Sequence, residues 1–134
     1  MADYHGSCLC SRVKFELCGE LESFYLCHCE YCQKDTGSAH SANLFTQSAT
    51  LKWVSGADNV SVYHLPHTRH VKSFCQHCGS ALPTILDNNI VAIPAGCLDT
   101  VISIAPTAHI FNSSRASWEQ NLVNIPTFEK LPTS

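Results

Sequence analysis

No apolar run in the 134 residues approaches the ~20 that cross a bilayer, so no membrane span is expected. Basic clusters are missing too. Lys plus Arg number 8 against 11 Asp plus Glu, a net charge of −3, which excludes a surface that tracks a phosphate backbone and makes nucleic acid an unexpected partner. Met1 to Cys10 lacks a charged stretch followed by an apolar one, so no secretory signal is expected and a cytoplasmic location is. No internal repeat, linker or low-complexity segment interrupts the chain, and no stretch sustains a helical period, which argues against a helical bundle. Charged residues make up only 14%, yet 45% are hydrophobic, enough to build a core and to exclude a disordered tail. A chain of this length suits a single domain, residues 1–134.

What the chain has in abundance is 9 Cys and 8 His. Cys8, Cys10, Cys27, Cys29, Cys32, Cys75 and Cys78 fall into three tight clusters, while Cys18 and Cys97 stand alone. Odd parity and the missing export signal argue against a disulfide framework. Clustering suits a soft divalent metal, because two thiolates from one turn chelate the same ion without a long loop to close. Buried free cysteine, behaving as a small hydrophobe, accounts for Cys18 and Cys97 but not for three clusters.

Cys75-Gln76-His77-Cys78-Gly79 is a C-x2-C knuckle whose glycine tolerates positive φ and frees backbone N–H groups to face sulfur. Cys27-His28-Cys29-Glu30-Tyr31-Cys32 offers three thiolates within one turn. A four-plus-three partition joins Cys8, Cys10, Cys75 and Cys78 into a closed structural zinc site. It leaves Cys27, Cys29 and Cys32 as a three-ligand zinc site with one position open, the feature that separates catalytic from structural zinc. A zinc ribbon from Cys29, Cys32, Cys75 and Cys78 is the other partition. Its intervening segment, residues 33–74, is longer than the ~15–20 residues usual for a ribbon. Iron, bound singly or as an iron–sulfur cluster, also suits four thiolates.

Alternation and turn residues predict a mainly β chain. Strands are expected at Val13–Leu17, Ser41–Thr46, Thr50–Val54 and Val60–Leu65, with a hairpin joining Leu82–Leu86 to Ile90–Ile93 around Asp87-Asn88-Asn89, while Ser23–Leu26 leads into the triple-cysteine turn and Lys72–Phe74 feeds the second knuckle. His109–Phe111 is a further short strand, and Glu30–Thr36 holds a helical turn ended by Gly37. Many short strands give a marginal core, so bound metal should supply much of the folding free energy.

The ordered motifs resemble the glutathione-dependent formaldehyde-activating enzyme family, the zinc-domain type shared with centromere protein V. They are His5-Gly6-Ser7-Cys8-Leu9-Cys10, then Cys27-His28-Cys29-Glu30-Tyr31-Cys32-Gln33-Lys34 with Thr36-Gly37, then Phe74-Cys75-Gln76-His77-Cys78-Gly79-Ser80 and Gly96-Cys97-Leu98-Asp99. Pro106 through His109-Ile110-Phe111 to Ser117-Trp118 and Ile125-Pro126-Thr127-Phe128 complete the match, which runs from about Gly6 to Phe128. The resemblance implies an antiparallel β-tent stapled by two zinc ions, and it favours the four-plus-three partition. It implies structural zinc on Cys8, Cys10, Cys75 and Cys78, and an active-site zinc on Cys27, Cys29 and Cys32. It also implies a carbon–sulfur lyase that joins glutathione, as co-substrate, to formaldehyde, giving S-hydroxymethylglutathione; the partners are then a small-molecule thiol and an aldehyde. Ser11 stands where the family usually has Gly, Gln33-Lys34 where an Arg often follows the third cysteine, and Cys97 where Ser or Thr is commoner; none of these removes a ligand.

A thiol entering the open position would lose its proton, since metal coordination depresses its pKa, and the gain would come largely from orientation beside the aldehyde. Polarisation of the aldehyde oxygen by the metal is the other role open to it. His28, between two ligands, is either an acid–base group or, in the preferred reading, turned away from the metal. His77 reads as surface or supporting, and His109 as ordering a turn. His64, His67 and His70, spaced across Pro66, read as a solvated loop rather than a third metal site. Asp99 reads as a turn residue, and Trp118 and Phe111 as core. Arg69, Lys34 and Arg115 are candidate partners for the carboxylates of glutathione. A non-catalytic zinc-binding module and a thiol redox or metal-handling protein are the competing functions.

Overall fold

The computed structural model describes residues 2–132. Three small sheets carry the chain, in the spatial orders β1-β2-β5, β11-β3-β4-β10-β9 and β6-β7-β8. The strands are β1 (Tyr4–Ser7), β2 (Lys14–Cys18), β3 (Ser23–Cys27), β4 (Ser41–Thr46), β5 (Thr50–Ser55), β6 (Val60–His64), β7 (Val71–Cys75), β8 (Ala81–Leu82), β9 (Thr84–Ile85), β10 (Val91–Pro94) and β11 (Ala108–Ile110). One short helix, α1 (Glu30–Thr36), follows the triple-cysteine turn, and 3-10 turns fill most connections. The chain is thus mainly β with few helical turns, as its alternation implied.

Alternation works as expected in β2, where Phe15 and Leu17 point inward and are essentially unexposed. They join Val13, Leu44, Leu82 and Ile93 in the core, and Trp53 packs edge-on to Phe15 with ring centroids 5.9 Å apart. Helix α1 keeps its expected bounds because its ends are chemically marked. Cys29 caps the start, with its sulfur 3.4 Å from the Cys32 N–H, and Gly37 closes the end at φ 66°.

Three features depart from the sequence reading. Strand β1 was not expected; it pairs with β2, and the lack of a Cβ at Gly6 makes room for the Phe15 ring. The expected Leu82–Leu86 strand is broken at Pro83, which has no N–H to give a ladder. Residues before it pair with β7, residues after it with β10, so the chain changes sheets there. The hairpin turn itself forms, with Asn88 and Asn89 taking the left-handed conformations that Asn tolerates. Finally, β11 runs parallel to β3, an exception in an otherwise antiparallel set, and this register lays Ile110 opposite Cys27.

No helix among the described residues is long and apolar enough to cross a membrane.

Candidate metal centres

Two clusters of cysteine sulfurs form. Cys8, Cys10, Cys75 and Cys78 bring their Sγ atoms within 4.8 Å of one another, and so do Cys27, Cys29 and Cys32. The ribbon grouping of Cys29 and Cys32 with Cys75 and Cys78 does not form.

In the four-cysteine cluster, the loop that follows β1 delivers Cys8 and Cys10, while β7 ends at Cys75 and the knuckle delivers Cys78. The knuckle closes through the Gly79 N–H on the Cys75 carbonyl at 2.8 Å, with Gly79 at φ 76° in open space, so its glycine is demanded by conformation and not by crowding. The first loop is built similarly: Ser11 donates its N–H to the Cys8 carbonyl at 3.0 Å and sits at φ 68°. That left-handed conformation is one glycine adopts without penalty, so Ser11 holds it at a cost. Cys8 and Cys75 are buried, and Cys10 is exposed. Sulfurs of Cys8 and Cys10 lie 3.6 Å apart and those of Cys10 and Cys75 3.9 Å apart. A zinc tetrathiolate with bonds near 2.3 Å has edges of about 3.8 Å, so these donors fit such an ion.

The surroundings of the four sulfurs are donor-rich. The Val13 N–H points to Cys8 Sγ at 3.3 Å, and Arg12 Nη1 lies 3.7 Å from Cys10 Sγ. The Ser80 hydroxyl and N–H hold the Cys78 thiol down to about 5, while burial pushes that of Cys75 up.

In the three-cysteine cluster, Cys27 ends β3, Cys29 caps α1 and Cys32 lies in its first turn. Burial pushes the Cys27 and Cys32 thiols up. Burial acts the same way on Cys29, but the Cys32 N–H and the neighbouring thiols outweigh it and leave that group lowered. Three thiolates this close cannot ionise together without a cation among them, which is the electrostatic case for a metal here.

Beside this cluster lies a cavity of about 350 Å³ whose lining includes Cys32, Asp35, Ser41, Arg69, His70 and Lys72. Asp35 is a double clamp: Oδ2 meets His70 Nε2 at 2.7 Å and Oδ1 meets Lys72 Nζ at 2.8 Å. Arg69 lines the same cavity, exposed, and among the described residues has no anionic partner. A second cavity, about 440 Å³, shares the Asp35–His70–Lys72 wall and is lined by Glu30, Tyr31, Lys34, Tyr63 and Leu65. Arg115 lines neither cavity.

The other singled-out residues separate clearly. His28 is buried and turned from the sulfurs: its Nε2 stands 2.8 Å from His109 Nδ1, and its Nδ1 stands 3.1 Å from Glu119 Oε2. His77 is exposed, on Asn59 Oδ1 at 3.1 Å, and His64 lies on the Thr68 carbonyl at 2.7 Å. His67 is exposed too, but His70 corrects the loop reading because it is half-buried on Asp35. Asp99 accepts the Ser7 hydroxyl at 2.7 Å. Phe111 and Trp118 are not core: they are 63% and 60% exposed, because the chain beyond β11 forms only 3-10 turns on the outside. Cys97 is buried as expected, whereas Cys18 is exposed at the end of β2. Sequence reasoning missed the clamp at Asp35 and the part played by Glu119; neither carries a local motif, since the partners are far apart in the chain.

Such a structure defines a small β protein built around two cysteine clusters, each able to hold a metal ion. The sequence model of the glutathione-dependent formaldehyde-activating enzymes matches residues 3–114, and the chain belongs to that family. No curated protein matches closely enough to count as a relative. Among solved structures, a crystal structure of a Rhodobacter sphaeroides protein superposes with a TM-score of 0.56 at 20% identity, covering 78% of this chain and 98% of that one. At that identity the likeness speaks for the fold.

Proposed function

We propose that the chain is a single cytoplasmic zinc-binding domain, residues 1–134, acting as a carbon–sulfur lyase that forms or cleaves a thiol–aldehyde adduct. Glutathione and formaldehyde are the substrates and S-hydroxymethylglutathione the product. In this reading Cys8, Cys10, Cys75 and Cys78 hold a structural zinc, and Cys27, Cys29 and Cys32 hold a second zinc. That second ion, when bound, supplies a Lewis-acidic position with room for a fourth donor.

The observation that carries the reading is the pairing of a cluster one donor short of four with a cavity that Cys32 itself lines. A fourth sulfur would close the site; here a cavity of about 350 Å³ borders it at Cys32. Arg69 offers the cavity its unpaired cation, suited to a carboxylate of glutathione, while Asp35 holds both His70 and Lys72 and fixes that wall. The reaction needs no oxidant. The thiol loses its proton, sulfur bonds to the carbonyl carbon, the carbon–oxygen π pair moves to oxygen, and oxygen takes up a proton to become the hydroxyl; cleavage runs these steps backwards. Holding thiol and aldehyde together replaces a bimolecular encounter, an advantage that can reach an effective molarity of about 10⁵ M.

Metal counting followed by glutathione titration of the cobalt-substituted chain tests this. Two metals per chain and a visible spectrum that changes with glutathione are expected. One metal, or a spectrum indifferent to glutathione, would instead favour a non-catalytic zinc module.

A further inference from the structure

We propose that Glu119 is a positioning residue for the three-cysteine cluster, clamping the Cys27–Cys32 turn from behind through His28; this rests on the reading that the cluster binds a metal. Glu119 lies past the stretch, residues 3–114, that the family sequence model matches. Its side chain nevertheless folds back to 13% exposure against His28, whose own side chain is 1% exposed.

His28 sits between two of the three cysteines, so whatever fixes its ring fixes the turn. Both ring nitrogens face polar groups delivered by the C-terminal part of the chain, His109 Nδ1 at 2.8 Å and Glu119 Oε2 at 3.1 Å. His28 also donates its backbone N–H to the Ile110 carbonyl at 3.0 Å. Gln33 Nε2 then ties the His28 carbonyl, at 2.8 Å, to the Ser114 carbonyl, at 2.9 Å. The turn is therefore held along residues 109–119 by backbone and side chain alike. Glu119 is the far end of that clamp and brings its one carboxylate. Nδ1 and Oε2 are both buried, have no hydrogen-bond partner among the described residues and face each other within ion-pair distance. Groups that orient a metal-binding turn commonly change affinity by about 10–100-fold when removed.

The test is a cobalt(II) titration of the reduced full chain, read from the thiolate-to-cobalt absorption, for wild type, Glu119→Ala and Glu119→Gln. Wild type should take two equivalents. Glu119→Ala should bind the first as wild type does and the second about tenfold more weakly. Glu119→Gln keeps the side-chain length and an oxygen facing Nδ1 and should stay within about threefold of wild type. Equal second-site affinity in Glu119→Ala, an equal weakening of both sites, or a Gln variant as weak as the Ala variant would each overturn the clamp. A wild type that takes only one equivalent would instead remove the metal reading beneath it, and the clamp with it.

Discussion

Ser80 accepts the backbone N–H of Leu9 on its hydroxyl at 2.8 Å, across 71 residues of sequence. The same oxygen stands 3.3 Å from Cys78 Sγ. One hydroxyl thus joins the two loops that supply the four-cysteine cluster, taking a hydrogen bond from one and supporting a thiolate on the other. Ser80→Ala should cost about 1 kcal/mol of stability for the lost Leu9 bond. It should also weaken metal at this cluster by about tenfold, seen as faster loss to a competing chelator. Ser80→Thr keeps the hydroxyl and should behave as wild type. If the alanine variant gives up its metal no faster, the bridge is incidental.

The cysteine groups were legible because chelation leaves a local signature: two or three sulfurs from one turn, with Gly79 where the knuckle needs positive φ. Strand β2 and helix α1 were legible for the same local reason, from alternation and from Gly37. Contacts that depend on chain topology were not. Nothing near Asp35 in sequence announces His70 and Lys72, and nothing near His28 announces Glu119. Pro83 did carry a signal, since its missing N–H interrupts the strand, but where each half then pairs depends on distant strands. Trp118 and Phe111 misled because large apolar side chains usually enter a core, whereas here they follow the last strand onto the surface.

The two clusters should fail differently. Cys75 is fully buried within the core cluster, so Cys75→Ser removes one of the four proposed metal ligands and also leaves a hydroxyl among apolar side chains. Cys29 is half-buried and caps α1, and serine is among the best residues at that position. Cys29→Ser should keep its far-ultraviolet circular dichroism while losing one metal. Cys75→Ser should lose the cooperative unfolding transition. Equal damage in both would contradict this division of roles.

Ser11 holds φ 68°, where an L-residue carries a penalty of about 1 kcal/mol or more that glycine avoids. Ser11→Gly should therefore stabilise the metal-loaded chain by about 0.5–1 kcal/mol, the gain trimmed by glycine's greater freedom when unfolded. A β-branched residue suffers most in this conformation, so Ser11→Val should destabilise. Thermal melts at fixed zinc concentration would show Tm changes of opposite sign. Two shifts in the same direction would mean that backbone conformation is not what the position selects.

Cys97 gives the chain a dependence on alkaline pH. Burial pushes its thiol up to about 12, and the charge of Asp99 adds to the rise, against an ordinary value of 9.0. Between those values the unfolded chain releases this proton while the folded chain retains it. The unfolded state then binds fewer protons, so stability falls as pH climbs. The contribution is whole below pH 9 and is lost progressively towards pH 12, at no more than about 1.4 kcal/mol per pH unit. Cys97→Ala removes the group from both states and should flatten that slope, whatever its effect on stability at pH 7. Tyrosines and lysines titrate in the same range, but they do so in both proteins and cancel in the comparison. Urea unfolding of zinc-loaded wild type and variant at pH 8, 9 and 10 measures the difference directly. Parallel stability curves over that range would show that Cys97 ionises as readily in the fold as outside it.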